Sequence, residues 1–435
     1  MRSKAIVDRV GGFVNLLPKA SYDRPAQKFV RDAVFGMMES QSLVVTEIAR
    51  ALSDGNSHFK ANYKRVIRRL GEVNLEPAMM QQQARALDEV SDDTIVAIDI
   101  GDVAKPYSNE LECLDRVADG SDGHVVKNGY GLIGAVAVNP WTEDKTPAPL
   151  ELRLYSTRAE GWVSENALMK EVISDIHGRT GGMGIHTIDR GGDRGIILTH
   201  LFDLRQRFIV RMNRRHLTGE DDRIIDTAKR EIVRGQLPYV AKIQRQADEN
   251  DRARSELDLR FDFEPVKVTA LTAKGVAHEC WLVTAWALGR QNPIQLLTTV
   301  RVETTEDALK IITGYLSRWS VEETYRFVKS GLGLESMRCF SYGKLQNLVR
   351  LAYIVSSLIA RMVRFSSWRA VFRRVALRLK KAPDHLYNWL YRGADACAEL
   401  CRKHRAAILA ANRPILSRRR PPLEQLGLFS AEFDQ

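Results

Sequence analysis

Tyr315, Arg318, Trp319, Glu322 and Lys329 fall within one short stretch that runs from Tyr315 to Glu335. Tyr315, Trp319, Glu322, Arg326 and Lys329 recur three or four residues apart. That spacing stacks side chains on one face of an α-helix, so the stretch is predicted as one long amphipathic helix. The face carries a carboxylate flanked by cations and two aromatic rings. Such a set suits a site that holds a metal ion and gathers phosphates, with bases lying against the rings. The same charges also fit a solvated helix laced with Glu–Arg and Glu–Lys pairs.

Two further carboxylates stand where chemistry needs them. Asp99 ends the apolar run Thr94-Ile-Val-Ala-Ile-Asp99, and Asp189 ends Ile185-His-Thr-Ile-Asp189. An Asp after an apolar strand is often only a turn residue. Two-metal chemistry on phosphate esters, however, places two divalent ions roughly 4 Å apart, and hard ions take carboxylate oxygens. Asp99, Asp189 and Glu322 are therefore the candidate ligands. Their acidic neighbours have plainer readings: Asp102 as a loop acid or a supporting partner of Asp99, Asp193 as a helix cap, and Glu323 as a side chain turned about 100° from Glu322 on a helix.

The order Tyr, two residues, Arg, three residues, Glu, six residues, Lys holds without a slip over Tyr315, Arg318, Glu322 and Lys329. In this the chain resembles the IS4-like bacterial DDE insertion-sequence transposases, whose signature helix has that spacing. Ala97 to Lys105 resembles the family's first motif, and Thr187 to Gly192 its second. The resemblance implies an enzyme that binds insertion-sequence ends, cleaves the DNA and joins the ends to target DNA by two-metal-ion hydrolysis and transesterification. It assigns Asp99, Asp189 and Glu322 as catalytic residues and as ligands of Mg²⁺, with Mn²⁺ able to substitute. It also places Tyr315, Arg318 and Lys329 on DNA near the cleavage site, with Trp319 beside them. The implied partners are terminal inverted repeats and target DNA, with a homodimer in the synaptic complex. Some relatives carry a tryptophan that receives a flipped base, but the corresponding place here reads Pro293-Ile294-Gln295. Trp281, Trp286 and Trp319 are the rings left for that role. The competing readings are a catalytically silent, transposase-derived DNA-binding protein and a membrane-surface protein using the basic segment 361–381. The second leaves the three acids without a purpose.

The elements that must position these residues are legible in outline. Residues 1–90 read as a helical DNA-binding region, with apolar residues at helical spacing in Phe29 to Met38, Leu43 to Leu52 and Tyr63 to Leu70. A turn at Asp54 to Ser57 before the basic segment with Lys60, Lys64, Arg65 and Arg68 suggests a helix-turn-helix, although a plain bundle with a basic face fits too. Residues 91–340 read as the catalytic α/β domain, interrupted by a β-rich insertion at about 213–300. Strands end at Asp99 and cover Gly129 to Val138 and Pro149 to Tyr155; a helix follows from about Ser164 to His177, then the strand before Asp189, a helix over about 194–206 and a strand over Phe208 to Met212. That order, with the resemblance, implies a ribonuclease-H-like core. Within the insertion, Asp221 to Gln246 reads as a charged helix, followed by strands at Leu257 to Phe263, Val266 to Leu271, Glu279 to Ala287 and Ile294 to Val300. Residues 341–435 read as a basic helical region.

Composition bounds the partners. Lys and Arg outnumber Asp and Glu by 65 to 54 in 435 residues, a net charge of +11, which favours a polyanion. No run reaches the roughly 18 apolar residues of a membrane span. The charged N-terminus does not read as a secretion signal. A cytoplasmic, bacterial, nucleoid-associated protein is expected, and five scattered cysteines argue against a disulfide framework.

Overall fold

The computed structural model describes residues 21–53, 58–119, 125–142, 145–213, 215–219, 222–227, 236–244, 256–269, 275–287, 292–364, 374–375 and 389–411. The turn at 54–57 and most of segment 361–381 lie outside these residues.

Four helices open the described chain: α1 (Arg24–Ser40), α2 (Val45–Ala51), α3 (Phe59–Glu72) and α4 (Glu76–Leu87). Asp23 caps α1 by accepting from the Ala26 N–H, with proline in the first turn, where its missing donor costs nothing. Next come β1 (Ile95–Ala104), β2 (Asp115–Asp119), β3 (Val125–Val138), β4 (Ala148–Tyr155), α5 (Glu165–Thr180), β5 (Ile185–Ile188), α6 (Gly195–Asp203) and β6 (Phe208–Arg211). Strands β7 (His216–Thr218), β8 (Ile224–Asp226), β9 (Tyr239–Gln244), β10 (Glu256–Thr269), β11 (Ala277–Ala287) and β12 (Ile294–Thr298) follow. The described chain closes with α7 (Thr305–Ser317), α8 (Trp319–Arg326), a π-helical turn at Phe327–Gly331, α9 (Tyr342–Arg364), α10 (Trp389–Lys403) and α11 (Arg405–Ala411).

The protein is thus a mixed α/β structure around one large sheet. At its heart β4, β3, β1, β5 and β6 lie side by side. β3 runs antiparallel to β1 and β4, whereas β1, β5 and β6 run parallel. β12 then pairs antiparallel with β6, so the inserted strands extend the same sheet rather than forming a separate one.

Alternation along β1 sorts the two faces. Val96 and Ile98 pack with Met169, Val172, Ile173 and Ile176 of α5. Ala97 and Val103 face the opposite side, where α1 to α3, α8, α9 and α10 share one core. Helix α9 is buried along most of its length. At roughly 1.5–3 kcal/mol for each fully buried Leu, Ile or Val, it is the main post holding the terminal helices to the sheet. α7 packs where β6 meets β12, through Ala308, Ile311, Ile312 and Tyr315.

Several expectations are corrected. The predicted single helix over Tyr315 to Glu335 is interrupted at Arg318 and ends in the π-helical turn; it belongs to a run that starts at Thr305, where Thr304 and Asp307 form a capping box. β1 does not stop at Asp99 but continues to Ala104, paired with β3 throughout, so Asp102 is a strand residue. The described parts of the stretch read as a charged helix hold the strands β8 and β9. Leu257 to Thr269, the described part of the two strands expected there, lies in one strand, β10: Pro265 sits within it opposite Trp281 without ending it.

Candidate active site

The sheet supplies two of the three predicted acids. In the parallel pairing of β1 and β5, Ile98 lies opposite Ile188, so Asp99 and Asp189 are the next residues along neighbouring chains. Both follow residues that face α5, and so both turn toward the α8 side. Asp189 also caps the short helical turn Arg190–Gly192, its Oδ1 accepting from the Gly191 N–H at 2.7 Å. Asp193 does not cap α6. It accepts from the Asn213 N–H and pairs with Arg215 at 2.7 Å, tying the end of β6 to the turn after β5.

Helix α8 supplies the third acid. Arg318 bridges the two halves: its Nη2 lies 2.7 Å from Glu322 Oε1 and its Nη1 3.4 Å from Asp99 Oδ2. Its guanidinium lies over the Tyr315 ring at 5.8 Å, and its Nε is buried without a hydrogen-bond partner. One turn on, the Tyr325 hydroxyl donates to the Asp99 carbonyl oxygen at 2.6 Å. Lys329 reaches Asp102 at 3.0 Å and Glu335 at 3.5 Å. The Lys105 ammonium, buried at the end of β1, donates to the carbonyls of Leu334, Glu335 and Met337.

These neighbours set the charge state of Asp99. Burial is the largest influence and raises its pKa, Arg318 opposes that, and the charges of Asp189 and Glu322 push it further, to about 7. Arg318 keeps its proton more firmly than an ordinary arginine: burial works against its charge, but Asp99, Tyr315 and Glu322 outweigh it. Burial also lowers Lys105 to about 8.

Among the described residues, no three carboxylate, His or Cys side chains lie close enough to hold an ion as they stand. The set still fits a hard divalent ion. It is an all-oxygen donor group, Asp189 and Glu322 lie near enough to oppose the ionisation of Asp99, and a cation already bridges two of the three.

The remaining predicted residues separate into those facing solvent and those turned inward. Trp319 is exposed, with its Nε1 on Glu323. Glu323 also pairs with Arg326 at 2.7 Å, as expected of a side chain pointing away from Glu322. Tyr315 is buried in the core beneath Arg318, so its ring supports the guanidinium rather than facing DNA. Lys60, Lys64 and Arg68 are exposed along α3, whereas Arg65 turns inward to the buried Asp32 at 2.8 Å and fastens α3 to α1. Arg318 and Lys329, read as phosphate contacts, are both held by acids here. Sequence reasoning assigned no role to Lys105 or Tyr325. The signal available for Tyr325 was a pair of glycines, Gly101 and Gly134, inside apolar strand runs.

Residues 151–358 match the family described as the transposase DDE domain. This is just under half of the chain; it contains Asp189 and Glu322 and begins after Asp99. The match supports a DDE transposase. Among solved structures the chain is similar to piggyBac transposase, determined as a synaptic complex with hairpin DNA. The two are 10% identical, over 90% of this chain and 77% of that one, with a TM-score of 0.38. No curated protein matches the chain.

Proposed function

We propose that this protein is an IS4-like DNA transposase that binds the terminal inverted repeats of an insertion sequence, cleaves there and joins the ends to target DNA. The observation that carries this reading is the convergence of Asp99, Asp189 and Glu322: strand register sets the first two side by side, and Arg318 ties the third to the first. The strand order β4-β3-β1-β5-β6, in which β3 alone runs antiparallel to the other four, supports a ribonuclease-H-like core.

In this reading Asp99, Asp189 and Glu322 hold Mg²⁺ or Mn²⁺. Once bound, such ions supply a deprotonated attacking oxygen and stabilise the leaving oxygen. The protein's own residues do the positioning. Asp99 is fixed by pairing within β1 and Asp189 by following the paired Ile188 and capping the next turn, so the two keep their spacing through the reaction. Arg318 neutralises the acids until another cation arrives, and it is then free to take a phosphate, as Lys329 is when it leaves Asp102. Such contacts orient DNA without reading its sequence. The exposed Lys60, Lys64 and Arg68 on α3 form the surface for the inverted repeat, within a DNA-binding region of residues 1–90. Cleavage of both ends calls for a homodimer.

Nicking of a labelled duplex carrying the element's end tests this reading. The expected result is cleavage with Mg²⁺ or Mn²⁺ and none with EDTA. A catalytically silent DNA-binding protein would bind the same duplex and leave it whole under both conditions.

A further inference from the structure

We infer that Tyr325 is a positioning residue that sets the separation between Asp99 and Glu322, acting through a ring seated in a gap left by Gly101 and Gly134; the inference rests on the metal-binding reading above. Tyr325 lies three residues after Glu322, on the same side of α8. It is 7% exposed, and its hydroxyl meets the backbone of Asp99 itself.

The sheet beneath the ring is built to receive it. Gly134 on β3 is the direct partner of Asp99, and Gly101 is two residues along β1, so all three positions share one face. A Cβ on Gly134 would lie 2.7 Å from the Tyr325 ring, and one on Gly101 would lie 3.0 Å from it. Both glycines lie within strand interiors, where glycine weakens a strand and marks the close approach of another group. Here that group is the ring, which therefore lies against bare backbone beside the Asp99 carboxylate.

The side-chain polar ties from the residues flanking α8 to β1 are ionic. Arg318 and Lys329 hold acids that ions or DNA phosphates would claim, so those ties exchange when the site is occupied. Contact of the Tyr325 ring with Gly101 and Gly134 has no such competitor. With the apolar packing of Val321 in the core shared with Ala97, it keeps its geometry when the charges change partners.

Mn²⁺ binding to the full-length protein without DNA, followed by the EPR signal of the free ion, tests this. Tyr325→Phe keeps the ring and should bind Mn²⁺ close to wild type. Tyr325→Leu and Gly134→Ala should each weaken binding by about tenfold or more, the loss seen when the supports of metal ligands are removed. Gly134→Ala does so with Tyr325 intact, which separates position from the chemistry of the phenol. Leu348→Ala, a core truncation on α9, should lower the melting temperature and leave Mn²⁺ affinity unchanged. Gly101→Ala, with the longer of the two approaches, should give a smaller loss and stands in if the others do not fold.

Wild-type affinity in folded Gly134→Ala or Gly101→Ala would overturn the inference, and so would an equal loss in Leu348→Ala. If instead Asp99→Asn binds Mn²⁺ as wild type does, the metal-binding reading itself fails and this inference falls with it.

Discussion

The two halves of the candidate site are held by different forces. On the sheet, Asp99 and Asp189 are placed by parallel hydrogen-bonded register between apolar strands, and a slip of one residue between those strands would put the two acids on opposite faces. On the helix, Glu322 is paired with Arg318 one turn away, and this stretch is held to the sheet by the Arg318–Asp99, Tyr325–Asp99 and Lys329–Asp102 contacts, all between residues more than two hundred positions apart in sequence. A rigid half and a half with exchangeable charges suit a site that must keep ligand spacing while admitting ions and DNA. The difference also says which changes should abolish chemistry and which should tune it.

The largest effects fall on the acids themselves. Glu322→Gln and Asp189→Asn should each lower end cleavage by roughly a thousandfold or more, because each removes a ligand charge. Binding to the end in gel shift should persist, since no DNA-facing cation is touched. Near-normal cleavage by either variant would remove that residue from the set.

Arg318→Ala breaks the bridge between the halves. Leaving Asp99 and Glu322 without their counter-charge should cost about 2–4 kcal/mol of stability in EDTA. Addition of Mn²⁺ should restore more of the melting temperature in this variant than it adds to wild type, because an ion replaces the lost guanidinium. Equal shifts in the two proteins would show that Arg318 and the ion do not share a place.

A smaller effect probes the rigid half alone. His186 on β5 is fully buried, neither ring nitrogen has a hydrogen-bond partner, and burial lowers its pKa from 6.5 to about 3. The folded chain therefore keeps His186 neutral while the unfolded chain takes up a proton below about pH 6.5. Stability is fully present above that pH and is lost on acidification toward pH 3, at up to about 1.4 kcal/mol per unit. Denaturant titrations at pH 7 and pH 5 should show wild type losing about 2 kcal/mol more than His186→Leu. Identical pH slopes would contradict the buried neutral state. The smallest effect is expected of Glu323→Gln: it pairs with Arg326 and Trp319 away from the site, so cleavage should stay near wild type.

The rigid half was largely legible in the sequence and the exchangeable half was not. Apolar runs ending in Asp99 and Asp189 disclose strands because local alternation and β-branching are short-range properties. β2 was missed because Asp115-Arg-Val-Ala-Asp119 is polar, with Val117 its only β-branched residue, and pairs only with β3. Spacing found Glu322, Arg318 and Lys329 but could not say what they touch. Arg318 lies 219 residues from Asp99, and only the fold brings them together. Arg65 read as a DNA contact for the same reason, since its buried partner Asp32 sits on another helix. The seat for Tyr325 was written as Gly101 and Gly134, but a glycine shows only that something comes close, not what it is.

The central claim is that Asp99, Asp189 and Glu322 form one divalent-ion site for cutting DNA. Its most direct test is cleavage of a labelled end duplex by wild type and Asp99→Asn across a Mg²⁺ and Mn²⁺ titration, with binding measured on the same samples. Ion-dependent cleavage by wild type, and its loss in a variant that still binds the end, is the predicted result. Cleavage by Asp99→Asn at the wild-type rate and ion midpoint would contradict the claim.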